Sequence, residues 1–248
     1  MLDLLLFFVF VALLVLLLNH LVTQQVLTFF WLLTGQERLA YLLYALFLLP
    51  GTVVHEGSHW LMARLLGVPA SRPSLRPQVR GSRLVLGHVV TARTDPLRQS
   101  LIGVAPLVVG SAVVVLVARQ VFGVEGPEAL LPGGQGFRGL VARLEAATRV
   151  PDAWLWLYLL FSVSHVMLPS ESDRAAWPAI ALLVGAVAGA TVLLFGVPRV
   201  PGTVVALGSA GLWALLFAFL VTIAIDVPLF AALWLLNRLL VWVRGGGR

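Results

Sequence analysis

The chain has 248 residues, of which 60% are hydrophobic and 11% charged; a soluble domain is about half apolar and about a quarter charged, and a soluble core cannot hide so much apolar surface, so a water-soluble protein is excluded and an integral membrane protein is expected. All 17 basic residues are arginine and the formal charge is +6, but the arginines lie between or at the ends of apolar runs, where they meet headgroups and set topology; with no basic stripe interleaved with aromatics, no nucleic-acid partner is expected. Cysteine is absent, which removes disulfides and thiolate metal sites.

A spanning helix needs about 20 mostly apolar residues. The first candidate is 4–32. Its opening "MLDLLLFFVFVALLVLLLNHL" carries Asp3 and has neither a basic n-region nor a small-residue cleavage pattern, so it reads as a retained membrane helix and not a signal peptide. After "TGQER" comes a second span, 39–66. The connection 67–98 holds Arg72, Arg76, Arg80, Arg83, Arg93 and Arg98, which marks it as cytoplasmic. Within it, "SRLVLGHVVTAR" has the β-branched content and partial alternation of a strand or hairpin. The third span, 99–118, contains Pro106, read as a kink or as a local loosening of the helix.

Residues 119–152 hold the turn cluster "GPEALLPGGQG" and then "FRGLVARLEAATRV", whose apolar residues at helical spacing oppose arginines, as in a helix lying in the interface. Further spans are 153–170, 176–197, 203–225 and 228–243, the last two divided by Asp226 and Pro228. "GAVAG" at 185–189 is a small-xxx-small pattern that helix packing explains. The expected fold is an all-α polytopic membrane protein, 1–248 as one domain. It has six or seven transmembrane helices and a short β-hairpin-like loop.

Chemistry concentrates in "VVHEGSHWLMARLLGV", residues 53–68. Residues four apart share a helix face, so His55 and His59 can offer two imidazole nitrogens to one ion. Glu56, one residue on, can take a proton from water activated there. This is the logic of H-E-x-x-H metalloproteases. Packing explains three ionisable groups within five residues of a membrane helix poorly, since each costs about 2.5–3.5 kcal/mol or more at the bilayer centre. A catalytic zinc needs a third protein ligand, and the candidates are His20, His88, His165, Glu171 and Asp173. His20 lies far up the first helix and reads as a satisfied polar residue; His88 lies in the strand-like loop. "SVSHVMLPSESDRAAW" ends a helix and offers His165, Glu171 and Asp173 around Pro169, on the membrane side of His59.

At these residues the chain resembles the site-2 protease family of intramembrane metalloproteases. "HEGSHWLMARLLGV" is similar to the family's extended motif helix, "GVAPLVVGS" (103–111) to its Gly-Pro helix beside the active site, and "HVMLPSESD" to its later Pro-rich turn with the aspartate that completes the metal shell. Ser172 and Arg174 flank Asp173 where the family has Leu and Gly, and His165 stands roughly where an Asn is common. The resemblance implies a core at 39–175 with accessory helices at 176–243, and a membrane-associated hairpin at 76–92 able to pair with an extended substrate by edge addition. It implies one Zn2+ per chain held by His55, His59 and Asp173, with Glu171 and His165 as rival third ligands and Glu56 as the base. The substrate implied is a membrane protein cut in or near its transmembrane helix, in the cytoplasmic membrane of a prokaryote, with the site nearer the cytoplasmic face. The partners are that substrate and the lipid bilayer; oligomeric state is left open.

Three other readings compete. A zinc transporter of one family also carries HExxH in a membrane helix, but with Pro inside the motif, a partner motif on the preceding helix and a His-rich loop; here Gly57 and Ser58 fill the motif. A membrane-anchored zinc protease facing the cytosol would use Glu171 as third ligand, but needs a soluble domain. A catalytically silent regulatory protein would have no need of Glu56.

Overall fold

A computed structural model describes residues 2–80, 83–127, 130, 149–196 and 201–245. It is built from helices: α1 (Leu2–Thr34), α2 (Glu37–Phe47), α3 (Leu49–Leu65), α4 (Pro96–Gln120), α5 (Ala153–Val166), α6 (Trp177–Phe195) and α7 (Gly202–Gly245). Four of them, α1, α4, α6 and α7, are long and apolar enough to cross a bilayer, and the bent α2–α3 pair makes a fifth if taken as one span. Large apolar side chains such as Phe10, Leu13, Leu42, Leu116 and Trp242 are exposed along these helices. In water such a surface would aggregate; in lipid it is the expected exterior, so the protein is membrane-embedded.

The spans differ from the six or seven expected, for identifiable reasons. The 39–66 stretch is two helices bent by 67° at Leu48. Pro50, at the start of α3, lacks an N–H and restricts the residue before it. A helix break leaves backbone groups unpaired, and α5 supplies their partners: Tyr158 donates to the Phe47 carbonyl at 2.9 Å, and Ser162 Oγ accepts from the Gly51 N–H at 2.8 Å. The 153–170 stretch is a helix of only 14 residues, because it ends at Val166 before Pro169. Asp226 and Pro228 do not divide the last stretch; α7 runs through them as one 44-residue helix. It is about 66 Å long, roughly twice the hydrocarbon thickness. A proline forfeits one hydrogen bond, which a helix gripped by neighbours survives. The expected interfacial helix over 137–150 lies almost wholly outside the described residues.

The main core joins α1, α4, α5 and α7. Val11 and Val15 of α1 meet Val114 of α4, Val163 of α5 and Leu216–Val221 of α7, and Phe8 stacks on Phe219 at 5.6 Å between centroids. From Val11 to Val26 the buried residues of α1, Val11, Val15, Leu18, Val22 and Val26, recur every three or four positions, so one stripe there faces inward and the rest faces lipid. A second cluster, Val22, Val26, Tyr44, Leu48 and Phe161, seats the α2–α3 elbow.

Between α3 and α4 the chain doubles back. Gln78–Arg80 (β1) pairs antiparallel with Arg83–Val85 (β2), and isolated bridges join Ser74 to His88 and Ala70 to Thr91. From one bridge to the next the first arm uses four residues where the second uses three, so that arm bulges. Pro73 and Pro77 lie on the bulged arm and cannot donate to a ladder, which is why the pairing is broken into pieces. The returning arm lies beside α3.

Candidate metal centre

Three side chains from two distant parts of the chain converge. His55 and His59 lie one turn apart on α3, their rings 4.8 Å apart and nearly perpendicular at 81°. Asp173 arrives from the turn between α5 and α6. One ligand atom from each lies within 4.8 Å of the others, and the group could hold a metal ion. His59 Nε2 stands 3.2 Å from His55 Nε2 and 3.2 Å from Asp173 Oδ1, and His55 Nε2 is 3.7 Å from Asp173 Oδ2. All three side chains are largely buried.

The backbone fixes which ring nitrogen faces the cluster. His55 Nδ1 donates to the Val166 carbonyl at 2.5 Å. Val166 closes α5, so its carbonyl has no partner inside the helix. His59 Nδ1 donates to the Ile102 carbonyl at 2.9 Å. Ile102 lies inside α4, where its carbonyl would ordinarily accept from the N–H four residues on. That residue is Pro106, which has no N–H. The proline leaves an acceptor open at the place where His59 needs one. With both Nδ1 protons so engaged, each Nε2 of a neutral imidazole presents a lone pair.

Asp173 is placed by its own turn and by a glycine. The Ser170 N–H donates to Asp173 Oδ2 at 2.7 Å, and Ser170 Oγ accepts from the Asp173 N–H. Gly103 of α4 packs directly on the Asp173 backbone; a Cβ there would run into the Asp173 carbonyl oxygen. Burial works to raise the Asp173 carboxyl, but the His55 and His59 imidazoles, once one of them is protonated, together with the Ser170 N–H, outweigh it and hold the group well below the usual carboxylate range.

The donor set fits a small divalent cation. Two imidazole lone pairs and a carboxylate that face one another repel unless a positive charge lies among them. A proton on one imidazole meets that need, and so does a metal ion. A tetrahedral zinc with bonds of about 2.0–2.1 Å holds its ligand atoms roughly 3.3–3.4 Å apart; His59 Nε2 stands near that distance from both His55 Nε2 and Asp173 Oδ1, at 3.2 Å each, while the near approach of His55 is to the other carboxylate oxygen, Oδ2, at 3.7 Å. The carbonyls on both Nδ1 atoms are the outer-shell partners that metal-bound histidines require.

Glu56 lies on the neighbouring face of α3 and is buried. It lines one cavity with His55, His59 and Asp173, about 1250 Å3 in volume and walled on another side by residues 84–91. Gly87 of that wall sits so close that a Cβ would stand 2.9 Å from Glu56 Cγ and 2.8 Å from the Ser74 carbonyl oxygen.

Of the remaining candidates, His88, His165 and Glu171 line the same cavity but stand outside the converging group, and His20 lies elsewhere. Glu171 is exposed on the same turn and is outside the converging group. His165 lines the cavity, but its Nε2 is engaged by Thr23 Oγ1 at 2.9 Å and Tyr44 Oη at 3.3 Å. His20 is exposed on α1 and bonds Gln24. The sequence pointed to Gly103 only through the patch "GVAPLVVGS", without a role for it, and gave no role to Ser170 or to the Val166 and Ile102 carbonyls. Of the two carbonyls, that of Ile102 had a sequence signal, a proline four residues on. No family model, curated protein or solved structure matches the chain.

Proposed function

We propose that this chain is an intramembrane zinc metalloprotease of the site-2 protease type, which hydrolyses a peptide bond in or beside a transmembrane helix of a membrane-protein substrate. One observation carries the reading: two Nε2 lone pairs and a buried carboxylate converge while Glu56, one residue from the first ligand, lines the same cavity. Metal binding alone gives no reason for that glutamate. The cavity is also out of scale with a bare ion. Pockets for small molecules occupy about 300–1,000 Å3, so about 1250 Å3 leaves room for a stretch of extended polypeptide.

His55, His59 and Asp173 would hold one zinc per chain. When bound, zinc supplies a Lewis acid that polarises the scissile carbonyl and makes water nucleophilic near neutral pH. Glu56 accepts the proton of the attacking water and returns it to the leaving amine. A substrate helix hides its carbonyls in internal hydrogen bonds and must unwind to be cut; the arm at 84–91 offers it backbone partners. The arginine-rich connection 67–98 supports a site nearer the cytoplasmic face.

The test is purification in detergent with zinc analysis and cleavage of a transmembrane reporter. Glu56→Gln is expected to keep stoichiometric zinc while cleavage falls by about 10²–10⁴, and Asp173→Asn to bind zinc more weakly. Undiminished cleavage by Glu56→Gln would remove the proposed base. Zinc flux into liposomes by wild type, with no cleavage, would assign the site to transport.

A further inference from the structure

Glu56 shares its wall of the cavity with one more imidazole. His88 lies on the returning arm, directly after Gly87, the residue that packs on Glu56. Its backbone is clamped in both directions: the His88 N–H donates to the Ser74 carbonyl at 2.9 Å, and the Ser74 N–H donates to the His88 carbonyl at 3.0 Å. His88 is among the residues that line the same cavity as His55, His59 and Asp173, and its ring is near enough to bear electrostatically on the Glu56 carboxyl. Its ring is unengaged. Nδ1 is buried without a hydrogen-bond partner, and no hydrogen bond to the ring is formed among the described residues. The other polar side chains nearby have at least one partner: Thr52 Oγ1 donates to the Leu48 carbonyl, and Tyr44 Oη and His165 Nε2 bond each other and Thr23, although His165 Nδ1 is itself buried without one.

An imidazole held by its backbone at the wall of a reaction cavity and left without a partner has the properties of a preorganised donor. With Nδ1 buried, the nitrogen left to meet a substrate is Nε2, which carries a proton in one neutral tautomer and in the imidazolium. The charge that needs such a donor appears on the scissile carbonyl oxygen as water adds to the carbon.

We infer that His88 is a catalytic residue of this site, the hydrogen-bond donor to the substrate's scissile carbonyl oxygen. The inference rests on the protease reading above. His88 lends its N–H as the oxygen gains charge and keeps its proton when the carbonyl re-forms; Glu56 alone moves protons. The hairpin arm thereby acquires two tasks, presenting backbone to an extended substrate and aiming a donor at the bond to be cut.

The test uses the full chain in detergent or liposomes with His88→Ala and His88→Gln, the latter retaining an N–H donor. Removal of one such donor typically costs about 10²–10³ in kcat. His88→Ala is expected to lose that much in kcat with KM within about threefold and zinc content unchanged, and His88→Gln to recover part of the loss. A phosphinic peptide spanning the reporter's cut site mimics the charged tetrahedral state, and its affinity for His88→Ala is expected to fall by a comparable factor, a readout independent of turnover. Wild-type kcat and inhibitor affinity in His88→Ala would overturn the role while leaving the protease reading standing. So would a loss confined to KM, or a loss of zinc in either variant, which would make His88 a structural residue. A wild-type chain that binds zinc and the reporter yet never cuts overturns the protease reading and His88's role together.

Discussion

Pro106 separates stability from metal affinity, and replacing it tests the logic of the centre. Pro106→Ala restores an N–H that competes with His59 Nδ1 for the Ile102 carbonyl. A proline inside a helix costs about 3 kcal/mol relative to alanine. Against that, the Pro106 side chain is fully buried, and losing two methylenes costs about 1.6 kcal/mol at ~0.8 each. The metal-free variant should therefore be as stable as wild type or about 1 kcal/mol more stable. Zinc affinity should move the other way. Loss of an outer-shell partner weakens a metal site about 10–100-fold, which is roughly 1.4–2.7 kcal/mol. The assay is competition with a fluorescent chelator, run beside thermal unfolding of the metal-free protein. Zinc affinity within twofold of wild type would show that the Ile102 carbonyl serves both donors equally, and the account of Pro106 would fail. A general disruption of α4 would lower both readouts and fail it equally.

Two other substitutions separate the site from its scaffold. Gly103→Val puts a branched side chain where the Asp173 backbone lies; zinc affinity should fall at least as far as in Asp173→Asn, and near-wild-type affinity would show that the turn can move aside freely. Tyr158→Phe strands the Phe47 carbonyl at the elbow; it should lower stability by about 1–3 kcal/mol in a denaturant titration while zinc affinity holds, and an unchanged midpoint would mean that another group satisfies that carbonyl.

What the sequence disclosed and withheld follows from the range of the interactions. His55, Glu56 and His59 were legible because helical spacing alone puts them together. Asp173 was one of several candidates, since 114 residues separate it from His59 and only the packing of Gly103 and the Ser170 turn brings it in. The apolar runs marked membrane helices but misjudged their boundaries. Pro50 broke a run at a place where α5 could pair the loose backbone ends, whereas Pro228 did not, because α7 continues through it. His88 stood only among the candidate third ligands: its place beside Glu56 depends on a bulged hairpin whose register no alternation pattern specifies.

The elbow at Leu48 couples the scaffold to the chemistry. Its free backbone ends are tied to α5, and α5's own terminal carbonyls are tied in turn to Asn19 and to His55. One short helix thus splices the joint to the first ligand, like a strut between a hinge and a latch. Opening of residues 47–51, visible as faster amide exchange there, should loosen the grip on the ion before any spanning helix has moved.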